Sequence, residues 1–189
     1  MYCASRITPG PPLSYQTVGD PRQLWPREAD LHRWLLDHPD QLAQCLGIPQ
    51  MQFVLHEAVI GEQRLDTDAL DRWRWTGGLR LDLAARDVHG RLIVIEAQLG
   101  DGDHSHLGQL VTYASVMRAD VAVWVVAHHE PPFYEEHLAA LAELNEAFSG
   151  RRRFYAVAAS VESQPRAGVA PDGPLRPRLR RADPSAGSA

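Results

Sequence analysis

Apolar positions recur at helical spacing early in the chain: Leu24, Leu31, Trp34 and Leu35, then Leu42 and Leu46, with Pro26 at a first turn and Pro39 as a break. The spacing predicts a helix, a kink and a second short helix. Residues 52–60, QFVLHEAVI, are rich in strand-forming residues and stop at Gly61, which predicts a strand; the polar segment 62–71 has no defined period. A run from 72 to 86, interrupted by Gly77-Gly78, and a second run at 91–99, RLIVIEAQL, form a predicted hairpin. Asp103 then caps a helix whose apolar stripe is Leu107, Leu110, Val111, Ala114 and Met117. The nearly uniform apolar run at 120–127, DVAVWVVA, reads as a strand covered on both faces. A helix over about 133–148 and a strand at 154–162 complete the order α-β-β-β-α-β-α-β, an α/β fold with a mixed central sheet flanked by helices.

The flanks differ in kind. Residues 1–21, with Pro9, Pro11, Pro12, Gly10 and Gly19, have no apolar period and read as an irregular arm. Residues 163–189 are rich in Pro, Gly, Arg and Ser and are expected to be disordered or to order only on a partner. Residues 22–162 are left as one domain. The chain has 189 residues, 44% hydrophobic and 23% charged, which is ordinary globular composition. No apolar run approaches the ~18 residues of a membrane span and no signal peptide is evident, so a cytoplasmic location is the expectation. Cys3 and Cys45 lack the spacing of a disulfide framework or a cysteine zinc site.

Net charge is −5, which argues against binding nucleic acid through bulk positive charge. Its distribution is uneven. From residue 150 onward eight arginines face three acidic residues, a balance of +5 that leaves −10 on the preceding part. All 19 basic residues are arginine, so no lysine is available to any site.

The chemistry centres on Glu96 within the aliphatic strand LIVIEAQL. A strand with apolar residues on both faces is central, and an unpaired carboxylate there costs roughly 3–5 kcal/mol unless a cation or strong donors compensate it. Alternation puts Glu96 and Gln98 on one face. The turn Asp87-Val88-His89-Gly90 has the chemistry of a three-residue hairpin loop, which sets Asp87 opposite Arg91 and, continuing the ladder, Asp82 opposite Glu96. Directly opposed carboxylates have Cβ atoms ~5 Å apart, and a divalent cation resolves their repulsion. Oxygen-only ligands favour Mg²⁺ or Mn²⁺. Unbroken alternation also sets Arg72, Arg74 and Arg80 on the face of Asp82, with Trp73, Trp75, Leu79, Leu81 and Leu83 opposite; such a row of arginines suits a phosphate backbone, or else is a solvated face. Glu57 is an alternative ligand, and His128-His129 reads as a loop feature.

Asp82 followed by Glu96-Ala97-Gln98 resembles the D…(D/E)-x-K core of the PD-(D/E)XK nuclease superfamily, with Gln98 in the place of lysine. Gln109-Leu110-Val111-Thr112-Tyr113 resembles the QhxxY helix of RecB-type nucleases, and the stretch IEAQLGDGDHSHLGQLVTYA is similar to bacterial members with E-x-Q. The resemblance implies a restriction-endonuclease-like fold and a Mg²⁺- or Mn²⁺-dependent phosphodiesterase acting on DNA or RNA. In it Asp82 and Glu96 hold the metal, Glu28 completes the site from the first helix, Gln98 positions water, and Gln109 and Tyr113 line the rim or contact the substrate backbone. His104 and His106, at the start of their helix, are placed to touch phosphate, and Arg80 or His104 would supply the charge that lysine usually brings. His106, Gln109 and Tyr113 follow i, i+3, i+7 spacing, away from Leu110, Ala114 and Met117. The open alternative is a nuclease-like fold without chemistry that binds DNA or a protein, the latter through the arginine-rich tail; a homodimer is also open. Phosphate-loop, dinucleotide and serine-hydrolase motifs are absent.

Overall fold

The structure, a computed structural model, describes residues 19–60, 79–128, 132–163 and 175–182. The expectations for Arg72, Trp73, Arg74, Trp75, the segment 62–71, His129 and most of the N-terminal arm fall outside the described residues.

After a short 3-10 turn at Pro21–Gln23 come α1 (Glu28–Asp37) and α2 (Pro39–Leu46), broken at Pro39 as its missing N–H requires. Asp30 caps α1 by accepting the Arg27 N–H at 3.0 Å. Strands β1 (Met51–Ile60), β2 (Leu79–Asp87) and β3 (Leu92–Leu99) follow, then α3 (His104–Val116), β4 (Val121–Ala127), α4 (Glu135–Ala147), β5 (Arg153–Ser163) and β6 (Leu175–Arg181). The sheet runs β1-β2-β3-β4-β5-β6, antiparallel through β3, parallel from β3 to β5 and antiparallel at β6. This is the mixed, helix-flanked α/β sheet expected from the hydrophobic pattern.

Two apolar layers hold it together. On one face Leu31, Leu35, Leu42 and Leu46 of α1 and α2 meet Ile93 and Ile95; on the other, Leu110 of α3, Met117 at its C-cap and Leu141 of α4 meet Val94 and Trp124. The alternation of β3 thus serves both layers at once, which is why its sequence is apolar almost throughout. Each fully buried leucine contributes about 1.5–3 kcal/mol.

β6 departs from the expectation for the tail. Leu175–Arg181 add to the edge of the sheet, with Val157↔Arg181 to Ser163↔Leu175 in register, and Glu162 of β5 pairs with Arg178 at 3.1 Å and Arg180 at 2.7 Å. Backbone pairing, together with Leu175 and Leu179 packed against the core, secures this strand, and an edge position tolerates Pro177. A composition that buries little apolar surface can still complete a ladder.

Candidate metal site

The site is built where β2 and β3 part. At the turn end the hairpin closes as its sequence requires: Asp87 N–H donates to the Arg91 carbonyl at 3.2 Å, and Gly90 takes the left-handed φ of 76°. The ladder then runs Arg86↔Leu92 to Leu83↔Ile95, the register expected from the turn. One step on, at Asp82 and Glu96, pairing gives way to side chains. The Ala97 N–H donates to Asp82 Oδ2 at 2.9 Å, and the Ala97 carbonyl accepts from His32 Nε2 at 3.0 Å. Two side chains from two elements therefore satisfy the backbone groups of β3 that β2 no longer reaches.

The alternation of β2 breaks at the same point. Leu81 and Leu83, expected on one face, lie in opposite apolar layers, Leu81 with α3 and Leu83 with α1 and α2. Across β1, Glu57 falls between the pairs His56↔Leu83 and Ala58↔Leu81, at the level of Asp82, and has φ of 47°. That left-handed backbone is unusual for a residue with a side chain.

Glu96 is only 2% exposed, and its Oε2 has no hydrogen-bond partner. Burial, reinforced by the carboxylates of Asp82, Glu28 and Asp103, pushes its pKa up to about 9. Burial also raises Asp82, against the pull of the Ala97 N–H and His32. Glu28 is the first residue of α1 and exposed, and its charge acts on both Asp82 and Glu96. Asp82, Glu28 and Asp103 thus add negative charge at a buried carboxylate with one orphaned oxygen, and an all-oxygen donor set of this kind suits a hard divalent cation.

Gln98 lies beside Glu96 on the same face, and its amide is engaged at both ends. Oε1 accepts from the Trp124 indole at 2.8 Å, and Nε2 donates to the Asp101 carbonyl at 2.7 Å and to Asp103 Oδ2 at 3.3 Å. These bonds fix the loop after β3, where Gly102 packs so closely that a Cβ would lie 2.8 Å from the Pro132 carbonyl oxygen. Asp103 in turn caps α3, accepting the His106 N–H at 3.0 Å and facing His106 Nδ1 at 2.8 Å. His104 Nδ1 lies 2.9 Å from Nε2 of the buried His137. Arg80 pairs with Glu57 Oε2 at 2.8 Å, and Gln109 is exposed on α3.

Tyr113 is a correction. Spacing set it apart from Leu110, Ala114 and Met117, yet it is buried with them, and its hydroxyl donates to the Arg80 carbonyl. Its ring fills the layer while its polar tip reaches the site. Burial, then the charges of Glu96 and Asp82, push its pKa up to about 12. His32 is the residue that sequence reasoning missed. It follows Glu28 by one helical turn, an i, i+4 spacing that puts both on one face of α1, and its Nε2 lies 3.7 Å from Asp82 Oδ2.

No protein-family model and no curated protein matches the sequence. Among solved structures, the chain is similar to a repair endonuclease from Pyrococcus abyssi, with a TM-score of 0.44 and 15% identity over 67% of this chain and 45% of that one. The chain thus spans less than half the length of that endonuclease.

Proposed function

We propose that the protein is a divalent-metal-dependent nuclease that hydrolyses phosphodiester bonds, in DNA, with Mg²⁺ or Mn²⁺. The observation that carries this reading is the orphaned Oε2 of Glu96, a buried carboxylate oxygen under the negative charge of Asp82 and Glu28. The residues present fit a hard cation: Asp82 and Glu96 would hold it, and Glu28 would complete the set from the outer side. Bound there, such an ion lowers the pKa of water and offsets charge on a scissile phosphate. His32 fixes the Ala97 carbonyl and stands beside Asp82, so it positions the two groups that line the gap. Gln98 holds the loop that carries Asp103. Arg80, paired with Glu57, would supply positive charge to a phosphate, and Gln109 and His106 of α3 would contact the substrate backbone.

The engagement of Gln98 and the lack of any lysine favour one second reading, a nuclease-like fold that binds nucleic acid without cutting it. Gln98 cannot act as a base or bring positive charge. Incubation of purified protein with supercoiled plasmid or single-stranded DNA and Mn²⁺ separates the two. Nicking that disappears with chelator and falls at least ~100-fold in Asp82→Ala and in Glu96→Ala is expected. Cleavage that survives both substitutions would overturn the nuclease reading, and metal-independent binding without cleavage would support the second.

A further inference from the structure

On the far side of the His32 ring from Ala97 lies a second cluster of ligand atoms. His32 Nδ1 and Glu57 Oε1 are 3.6 Å apart, His56 Nε2 and Glu57 Oε1 are 3.5 Å apart, and all three ligand atoms lie within 4.8 Å of one another. A tetrahedral ion with bonds of about 2.0–2.1 Å needs its ligand atoms ~3.3–3.5 Å apart, so the cluster is close to that size without rearrangement. We propose that His32, His56 and Glu57 form a binding site for a divalent transition-metal ion of the Zn²⁺ type, distinct from the carboxylate site of Asp82 and Glu96.

Three further observations point to a ligand. First, the ring of His32 is 6% exposed, and its Nδ1 has no hydrogen-bond partner. Nε2 faces a carbonyl oxygen, which only accepts, so Nε2 carries a proton and Nδ1 is the ring atom left to face Glu57 Oε1. A histidine whose other nitrogen donates to a backbone carbonyl is the usual arrangement of a metal ligand. Second, the backbone of Glu57 sits at φ 47°, and this conformation turns its carboxylate toward both imidazoles. Strain of that kind persists where surrounding structure holds it in place. Third, Arg80 binds Oε2 of Glu57 at 2.8 Å and leaves Oε1 to face the two nitrogens. Two imidazoles and one carboxylate suit Zn²⁺, Co²⁺ or Ni²⁺ and disfavour Mg²⁺, the opposite preference to the all-oxygen site. Its ligands join α1 to β1 beside Asp82, so an ion here would brace the opened end of the hairpin.

Co²⁺ added to metal-free protein reports coordination directly. The expected result is the intense visible absorption of a tetrahedral ion at one equivalent, displaced by Zn²⁺ and retained under excess Mg²⁺. His56→Ala and Glu57→Gln should each weaken Co²⁺ binding at least ~10-fold. Because His56 is 41% exposed at its side chain, its replacement should leave the thermal unfolding of the metal-free protein unchanged. The double variant Asp82→Asn/Glu96→Gln should keep the band, which separates this site from the proposed nuclease site whatever becomes of that reading. Absence of the band in wild type, its persistence in His56→Ala, or its loss in the double variant would each overturn the proposal.

Discussion

Two carboxylates at opposite ends of the β2–β3 hairpin are both buried and have opposite surroundings. Asp87, at the turn, accepts the backbone N–H groups of His89 and Arg91 at 2.9 Å and the Arg91 side chain at 2.6 Å. Burial pulls its pKa up, but those hydrogen bonds and the guanidinium outweigh it and leave the carboxyl below its ordinary range. Glu96, at the open end, has a comparable degree of burial, no cation within its set and an oxygen without a partner. A structural carboxylate is compensated by the fold; Glu96 is left for a ligand to compensate. That difference, rather than burial alone, marks the site.

The contrast breaks most visibly in stability. Asp87→Ala removes three hydrogen bonds and should lower the unfolding free energy by about 1–3 kcal/mol in denaturant titrations. Glu96→Gln removes a buried ionisable group and should leave the metal-free protein as stable or more stable at pH 8. Equal destabilisation by both would mean that Glu96 is also a structural carboxylate.

A second effect, of similar origin, lies in the pH dependence of the metal-free protein. Glu96 titrates near 9 when folded against an ordinary 4.5, so the folded state holds the extra proton between those values. Its contribution is therefore fully present below about pH 4.5 and is lost as pH rises toward 9. Asp87 has the opposite sign: its depressed pKa gives stability that is present above the ordinary carboxylate range and lost on acidification. Thermal melts from pH 5 to 9 should fall more steeply in wild type than in Glu96→Gln, and parallel curves would remove Glu96 as the cause.

A smaller effect separates Gln98 from the reacting groups. Gln98→Leu leaves the Trp124 indole N–H without its acceptor and frees the loop at Asp101, a loss of about 1–2 kcal/mol by thermal unfolding. Mn²⁺ affinity should fall by less than in Glu96→Gln. A larger fall would make Gln98 part of the metal set.

The hairpin was legible because two local rules agree: the Asp-Val-His-Gly turn sets the register, and the aliphatic run of β3 declares it central. Both rest on near-neighbour residues. What escaped depends on non-local geometry. His32 on an apolar helix face has the pattern of a core residue until the Ala97 carbonyl is found beside it. Glu57 has a backbone angle of 47° that no residue type announces, and the split of Leu81 from Leu83 breaks the strict alternation that spacing assumes. β6 was missed because composition averages over the whole tail, whereas that strand rests on pairing, on Glu162 and on two leucines, Leu175 and Leu179, packed against the core. Tyr113 obeys two demands, an apolar ring in the layer and a hydroxyl at the site, and spacing alone showed one.

Calorimetric titration of metal-free protein with Mn²⁺ at about pH 7.5, in two buffers of different ionisation enthalpy, tests the central claim most directly. Glu96 is protonated there before binding and must be ionised to bind, so wild type should take up Mn²⁺ with release of about one proton, and Glu96→Gln should lose both the proton and most of the affinity. Uptake of Mn²⁺ with no proton released, or with equal affinity in Glu96→Gln, would contradict it.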